Sequence, residues 1–311
     1  MQTQETPLQE QPIDFDRVLS VLPPRPINSH KGTFGRLLNI SGSLRYRGAA
    51  ALSCLGAMRS GTGLCVLASV PEACNATAAQ LPEAIFCPLQ ACEKGFIDSK
   101  KAIPILKEEI SHASAVLFGC GLGDGNHAAE LLQFVLENVS RKEKTIPVII
   151  DADGLNALAK NLHLLKNSHS KIILTPHPGE MSRLCGASTS NIAEDRAGFA
   201  AHFAKDYHIT LVLKGHGTII AGAGGKGGKG SNVLLNPTGG PGLAKGGSGD
   251  VLAGIIAGFA SQGIAPVDAC ICGVYLHGLA ADRTAARLGQ YAMLASEITT
   301  DFAEILAENG R

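Results

Sequence analysis

Short apolar runs alternate with segments of helical period along most of the chain, and this alternation constrains the fold more than any other feature. The apolar runs are residues 36–41, 64–68, 115–118, 147–150, 172–174 and 210–213. Helical patterns lie between them at residues 48–60, 128–139 and 154–159. Repeated β–α units place parallel strands side by side under two layers of helices. We therefore expect an α/β fold with a mainly parallel central sheet and helices on both faces.

The charge balance points to a small-molecule partner. Lys plus Arg and Asp plus Glu each number 27, so the formal net charge is zero. Nucleic acids and anionic membranes are bound by surfaces with an excess of basic residues. Residues 1–12 lack the basic and apolar pattern of a signal peptide, and no apolar stretch is long enough to span a bilayer. We expect no nucleic-acid partner, no membrane partner and a cytoplasmic location.

The cysteines favour the same compartment. Their number is odd, nine, and they are scattered through apolar runs without CxxC spacing. This usage is typical of buried, reduced thiols and disfavours both a disulfide framework and a structural zinc site.

We expect a single domain over residues 31–311, preceded by a polar, Pro-containing leader at residues 1–30. The glycine-rich segment Gly222 to Gly230 joins two β-like runs at residues 218–221 and 232–235. Because it lies between these runs, a flexible hairpin tip is favoured over a phosphate-binding loop.

A glycine loop opens a helix at residues 246–250. Apolar residues then recur at helical spacing, at Val251, Leu252, Ile255, Ile256 and Phe259. The first turn of a helix binds anions through its free N–H groups, and glycines let a phosphoryl group approach closely. Asp250 beside such a group could accept the proton of an attacking hydroxyl, or it could merely cap the helix. The loop is not a P-loop, because Lys245 precedes the glycines.

At this loop the sequence resembles the ribokinase-like superfamily, and within it the NAD(P)H-hydrate dehydratase family. Further segments match in the family's order, at residues 31–35, 48–63, 151–156, 175–180 and 213–218. The resemblance implies a ribokinase-like fold. It also implies an enzyme that uses ADP or ATP, with Mg²⁺, to convert hydrated NADH and NADPH (NADHX and NADPHX) back to the reduced cofactors. The hydroxyl is phosphorylated and phosphate is then eliminated, with AMP released when ADP is the donor.

The resemblance also implies roles for individual residues. It assigns Lys214, Gly215, His216, Gly217 and Thr218 to the nucleotide, with Gly249 on the phosphate side. It places Ala49, Gly121, His177 and Asp250 on the substrate side, with Asp250 as the catalytic residue.

Plainer structural roles remain as alternatives. Lys214 could belong to an ordinary turn after a strand, and His177 could be a loop histidine bonded to backbone. Gly121 and Ala49 could be small only for packing. Glu180 could cap a helix.

Three polar residues after the fourth run, Asp151, Asp153 and Asn156, have several interpretations. Carboxylates there could hold Mg²⁺ through water or bind a sugar hydroxyl, and Asp153 could equally be a helix N-cap. The sequence assigns no metal ligand.

The chain departs from the family pattern at three positions. It has Cys120 where Pro is frequent, Ser248 where Thr is common, and Lys245 where a small neutral residue is usual. Because few residues precede the first matching segment, we expect any epimerase activity on a separate protein. The alternative functions are a vitamin or sugar-alcohol kinase of the same superfamily and a non-catalytic nucleotide sensor.

The helical patterns at residues 267–288 and 296–306 could pack on the sheet or between subunits. We expect a homo-oligomer.

Overall fold

The computed structural model describes residues 10–22, 24–123, 125–140, 145–166, 168, 171–222 and 233–311. Within these ranges the strands are β1 Glu10–Pro12, β2 Arg36–Ile40, β3 Leu64–Ser69, β4 Ile85–Pro88, β5 Ala115–Phe118, β6 Pro147–Ile150, β7 Lys171–Leu174, β8 Thr210–Leu213, β9 Ile219–Gly222 and β10 Val233–Leu235. The helices are α1 Phe15–Val21, α2 Arg47–Arg59, α3 Pro71–Ala78, α4 Ser99–His112, α5 Asn126–Asn138, α6 Asp153–Ala159, α7 His163–Lys166, α8 Pro178–Cys185, α9 Thr189–Glu194, α10 Arg196–Tyr207, α11 Ser248–Ser261, α12 Pro266–Leu288 and α13 Ile298–Glu308.

The described strands form one sheet in the order β1-β10-β9-β8-β7-β6-β5-β2-β3-β4. The seven strands from β8 to β4 run parallel, and β9 is antiparallel to both of its neighbours. This arrangement confirms the mainly parallel sheet.

The short apolar runs form the middle of the sheet because they are covered from both sides. Every residue of β5, β6 and β8 is buried. One group of helices, α2, α11, α12 and α13, packs together and contacts the sheet, and a second chain of contacts links α4, α5, α6 and α8. Strands buried on both faces read as continuous apolar runs, as they do here.

Helix α11 is held in place by close packing on α2. A Cβ on Gly56 would overlap the carbonyl of Val251, and one on Gly254 would overlap the carbonyl of Ser53. The two helices therefore meet backbone to backbone, which glycine alone permits. This contact fixes the position of the helix that carries Asp250.

The longer helical patterns pack within the chain. Helix α12 contacts α11, α13, α1 and the strands β7, β8 and β9, and Ile271 and Phe302 are fully buried. Residues 267–288 therefore pack on the sheet, whereas α13 packs on α12 and α2. In the described part of the chain, no helix combines the length and apolar character needed to cross a membrane.

Part of the predicted leader belongs to the folded body. Strand β1 pairs with β10, and Ile13 and Val18 are buried.

The runs flanking the glycine-rich segment are the antiparallel strands β9 and β10, as a hairpin requires. The tip itself, at residues 223–232, lies outside the described residues.

All nine cysteines are free, and seven of them are buried.

Candidate active site

The candidate active site lies where four neighbouring parallel strands end. Strands β5, β6, β7 and β8 are adjacent in the sheet. Asp151 follows β6, His177 lies shortly after β7, and Lys214 follows β8. Because parallel strands end at a common edge, ligands bind there in sheets of this kind. The topology therefore gathers residues that are far apart in sequence.

The partly buried Lys214 and the buried Asp151 form an ion pair at this edge. Nζ of Lys214 lies 2.7 Å from Oδ1 of Asp151 and 3.9 Å from Oε2 of Glu180. Burial by itself would lower the pKa of Lys214, but the charges of Asp151 and Glu180 outweigh it and the net shift is upward. A Cβ built on Gly249 would lie 3.4 Å from Nζ. Lys214 is therefore a fixed positive charge beside the start of α11.

Asp250 lies in the first turn of α11. The N-cap of this helix is Gly247, and no side chain caps it, so the alternative that Asp250 caps the helix is wrong. The helix also begins at Ser248, slightly later than expected. Burial, and then the charge of Asp151, raise the pKa of Asp250 to about 7. A carboxyl group with this pKa can exchange protons near neutral pH.

A cavity of about 490 Å³ opens beside the start of α11. This volume is within the range of roughly 300–1,000 Å³ found for small-molecule sites. The predicted nucleotide residues that line it are Lys214, Gly215, His216, Thr218 and Gly249. Gly217 belongs to the same turn but does not line the cavity. Arg196 stabilises this turn by donating hydrogen bonds to the carbonyl oxygens of His216 and Leu213.

Sequence reasoning missed much of the remaining cavity lining. Asn236, Thr238, residues 239–241 and residues 243–245 contribute from the segment before α11, and His277 contributes from α12. Burial, reinforced by the charge of Lys214, lowers the pKa of His277 to about 4, so its ring is neutral. The sequence feature that could have pointed to His277 is its position inside an otherwise apolar helical stretch. Lys245 also lines the cavity, and its Nζ donates to the carbonyls of Tyr291 and Met293.

His177 caps helix α8. Its Nδ1 accepts hydrogen bonds from the backbone N–H groups of Gly179 and Glu180, at 3.0 and 3.3 Å. The alternative that His177 bonds to backbone is therefore confirmed. Its Nε2 lies 3.5 Å from Oε1 of Glu180. Burial, followed by the charge of Lys214, lowers the pKa of His177.

Glu180 completes this capping box, which confirms the expectation that it caps a helix. Its carboxylate accepts from the backbone N–H of His177 at 2.8 Å and also approaches Lys214. Burial raises the pKa of Glu180 to about 7. The local sequence predicted the cap, but the approach to Lys214 depends on how β7 and β8 pair.

Gly121 and Ala49 are in contact. Gly121 has a φ of 64°, and a Cβ there would lie 2.7 Å from the Cβ atoms of Ala49 and Tyr46. Only glycine suits both the backbone conformation and the space. The packing alternative for Gly121 is confirmed, while the substrate-side roles of Gly121 and Ala49 stay predictions.

The three polar residues after β6 each have a protein partner. Asp151 pairs with Lys214. Oδ2 of Asp153 accepts from the N–H of Gly123 at 2.8 Å, and Oδ1 of Asn156 accepts from Arg183 at 2.9 Å. The N-cap of α6 is Ala152, so the alternative that Asp153 is the N-cap is wrong.

The side chains around Asp151 are poor candidates for Mg²⁺ ligands. Among the described residues, Sγ of Cys120 and one oxygen each of Asp151 and Asp250 lie within 4.8 Å of one another. Mg²⁺ requires hard oxygen ligands in octahedral geometry. A thiol and a carboxylate already paired with Lys214 do not fit that requirement, so no protein ligand for Mg²⁺ is assigned.

Comparison with known proteins shows which proteins this chain is similar to. The family model for NAD(P)H-hydrate dehydratase matches residues 37–303. The bifunctional NAD(P)H-hydrate repair enzyme of Moorella thermoacetica is 39% identical over 93% of this chain and 52% of its own length. The chain thus spans about half the length of the bifunctional relatives that it matches.

Two solved structures share the fold over nearly the whole chain. The ADP/ATP-dependent NAD(P)H-hydrate dehydratase of Bacillus subtilis, co-crystallised with ATP/Mg²⁺, has a TM-score of 0.81 and 31% identity, covering 97% of this chain and 99% of that one. A ribokinase-like superfamily protein of Enterococcus faecalis has a TM-score of 0.83 and 27% identity, with 98% and 99% covered. The expected ribokinase-like fold is confirmed.

Proposed function

The chain belongs to the NAD(P)H-hydrate dehydratase family, and on that premise we propose that it uses ADP or ATP to dehydrate NADHX and NADPHX. The products are NADH or NADPH, inorganic phosphate, and AMP when ADP is the donor. The observation that carries the proposal is the placement of Asp250. This carboxyl group has a pKa raised to about 7 and lies in the first turn of a glycine-rich helix, near the partly buried Lys214.

The first stage is phosphoryl transfer to the ring hydroxyl of the hydrate. Asp250 accepts the hydroxyl proton while the oxygen attacks the terminal phosphorus of the nucleotide, and the bond to the leaving phosphate oxygen breaks. The free N–H groups at the start of α11 and the charge of Lys214 stabilise the negative charge on the transferring group. Gly249 has no Cβ to separate these donors from the phosphoryl group.

The second stage is elimination. The phosphorylated oxygen departs as phosphate, the neighbouring ring carbon gives up a proton to water, and the electron pair of that C–H bond restores the double bond. Phosphorylation serves a net dehydration because phosphate leaves far more readily than hydroxide. The same α11 N–H groups are placed to stabilise the departing phosphate.

The cavity beside Lys214 supports a nucleotide site. Backbone turns at residues 214–218 and 236–240 offer N–H groups and hydroxyls, and apolar residues such as Leu252 and Val274 offer surface for a base. We propose that Mg²⁺ enters with the nucleotide, bound to its phosphates. The cytoplasmic location and the homo-oligomer stay predictions.

The test compares ADP, ATP and no nucleotide, with Mg²⁺ present and NADHX as substrate. We expect the absorbance of reduced nicotinamide to recover only when a nucleotide is present, because the hydroxyl must first be phosphorylated. Recovery with one nucleotide alone would identify the donor. If absorbance stays flat while nucleotide is consumed with vitamin-like alcohols, the kinase alternative replaces this proposal.

A further inference from the structure

Cys120 lies in the loop after β5, against the helix start that carries Asp250. Its side chain is fully buried, and its Sγ is within 4.8 Å of carboxylate oxygens of both Asp250 and Asp151. The backbone is held in place because the N–H of Gly42 donates to the Cys120 carbonyl at 2.7 Å. The full burial of the side chain leaves the thiol no route to solvent, so it stays near Asp250.

The thiol stays protonated in this position. Burial, and then the charges of Asp250 and Asp151, raise the pKa of Cys120 well above its usual range. A protonated thiol is a hydrogen-bond donor and a poor nucleophile. Cys120 is therefore suited to hold a neighbouring carboxylate and unsuited to covalent or redox chemistry.

The groups facing Asp250 come from four elements. Asp151 at the end of β6 and Asp153 in α6 disfavour the ionised carboxylate through their charges. Lys214 at the end of β8 and Cys120 after β5 favour it, and the Cys120 Sγ lies within 4.8 Å of an Asp250 carboxylate oxygen. Lys214 makes its short contact, at 2.7 Å, with Asp151, so the thiol is a second donor group that faces Asp250 from a different element.

We propose that Cys120 is a positioning residue for the base, with its S–H group donating to the Asp250 carboxylate and holding it ionised and oriented toward the substrate hydroxyl. The inference rests on the proposed role of Asp250 as the base. It gives a buried thiol a part in the reaction without making it a catalytic residue.

The first test is the pH profile of kcat/KM for Cys120→Ala and Cys120→Ser. Removing the donor raises the pKa of Asp250, so the acidic limb of the Ala variant moves up by about 0.5–1 pH unit. Its kcat/KM then falls about three- to tenfold at pH 6, below both limbs, and comes within about twofold of wild type at pH 9. The Ser variant retains a donor and keeps the wild-type limb.

Cys87→Ala is the matched control, because Cys87 is a buried thiol in β4 that does not contact the site. Its profile should superpose on that of the wild type. A Cys120→Ala profile that also superposes, or that falls by one factor at every pH, would overturn the proposal.

The S–H stretching band in the infrared spectrum gives a readout that needs neither activity nor substrate. We expect one band to shift as the pH crosses 7, to be missing from Cys120→Ala, and to be insensitive to pH in Asp250→Asn. The absence of any such band would overturn the proposed hydrogen bond. If the band behaves as expected while NADHX is not dehydrated, the proposed function fails and the hydrogen bond stands.

Discussion

Asp250→Asn lowers kcat for nucleotide-dependent NADHX dehydration by about a thousandfold, within the range of roughly 10²–10⁴ for loss of a general base. Asparagine keeps the shape of the side chain but cannot accept the hydroxyl proton. Binding of the nucleotide should change by less than about threefold, because Asp250 does not line the cavity proposed to hold the nucleotide. Steady-state kinetics and nucleotide titration measure the two effects separately.

Measuring the stability of Asp250→Asn shows whether its loss of activity comes from misfolding. The pKa of Asp250 is raised to about 7 by folding, so ionising it costs stability as the pH rises from the unfolded value near 4 through 7. The Asn variant lacks this cost and should be at least as stable as wild type at pH 8. Asp153→Asn is the matched control and should lose less than about tenfold in kcat, because its partner is Gly123. Wild-type activity in Asp250→Asn would contradict the base and favour the nucleotide-sensor alternative.

Lys214→Met lowers both activity and stability. We expect kcat/KM to fall by about 10²–10³, because one preorganised positive group at the transferring phosphoryl is lost. The free energy of unfolding should fall by about 3–5 kcal/mol, because Asp151 is left buried without its partner. Urea unfolding and the absorbance assay measure the two losses.

The double variant Lys214→Met/Asp151→Asn tests whether these losses have different origins. With the carboxylate also neutralised, most of the lost stability should return, since the carboxylate that lay closest to Lys214 no longer carries a charge. Activity should stay as low as in the single variant. If activity returns together with stability, Lys214 acts only through the ion pair and has no direct part at the phosphoryl group.

The sheet and its edge could be predicted from the sequence because they follow from local patterns. Four-residue apolar runs such as Pro147 to Ile150 are buried on both faces and are followed by a polar residue, here Asp151, at the strand end. The edge strand β1 was missed for the same reason, because Glu10, Gln11 and Pro12 present no apolar run. Strand β4, by contrast, is a short apolar run with an exposed Ile85, and it was missed although the pattern was present. Both are held by backbone pairing at the margins of the sheet.

The ion pair of the site and the raised pKa of Asp250 could not be predicted from local sequence patterns. Asp151 and Lys214 are 63 residues apart, and their contact depends on the order of β6, β7 and β8 in the sheet. The contact between Cys120 and Asp250 likewise requires the α11–α2 packing that positions the helix start. Sequence patterns identified Asp250 as a candidate base, but its raised pKa has its causes in burial and in Asp151.

The measurement that tests the central claim most directly is the stoichiometry of a single reaction with ADP and NADHX. The account predicts that AMP, inorganic phosphate and NADH appear in a ratio of 1:1:1, with no phosphorylated organic product remaining, because every transferred phosphoryl group leaves again as phosphate. Recovery of NADH without ADP cleavage, or AMP formation with a stable phosphorylated product and no NADH, would contradict it.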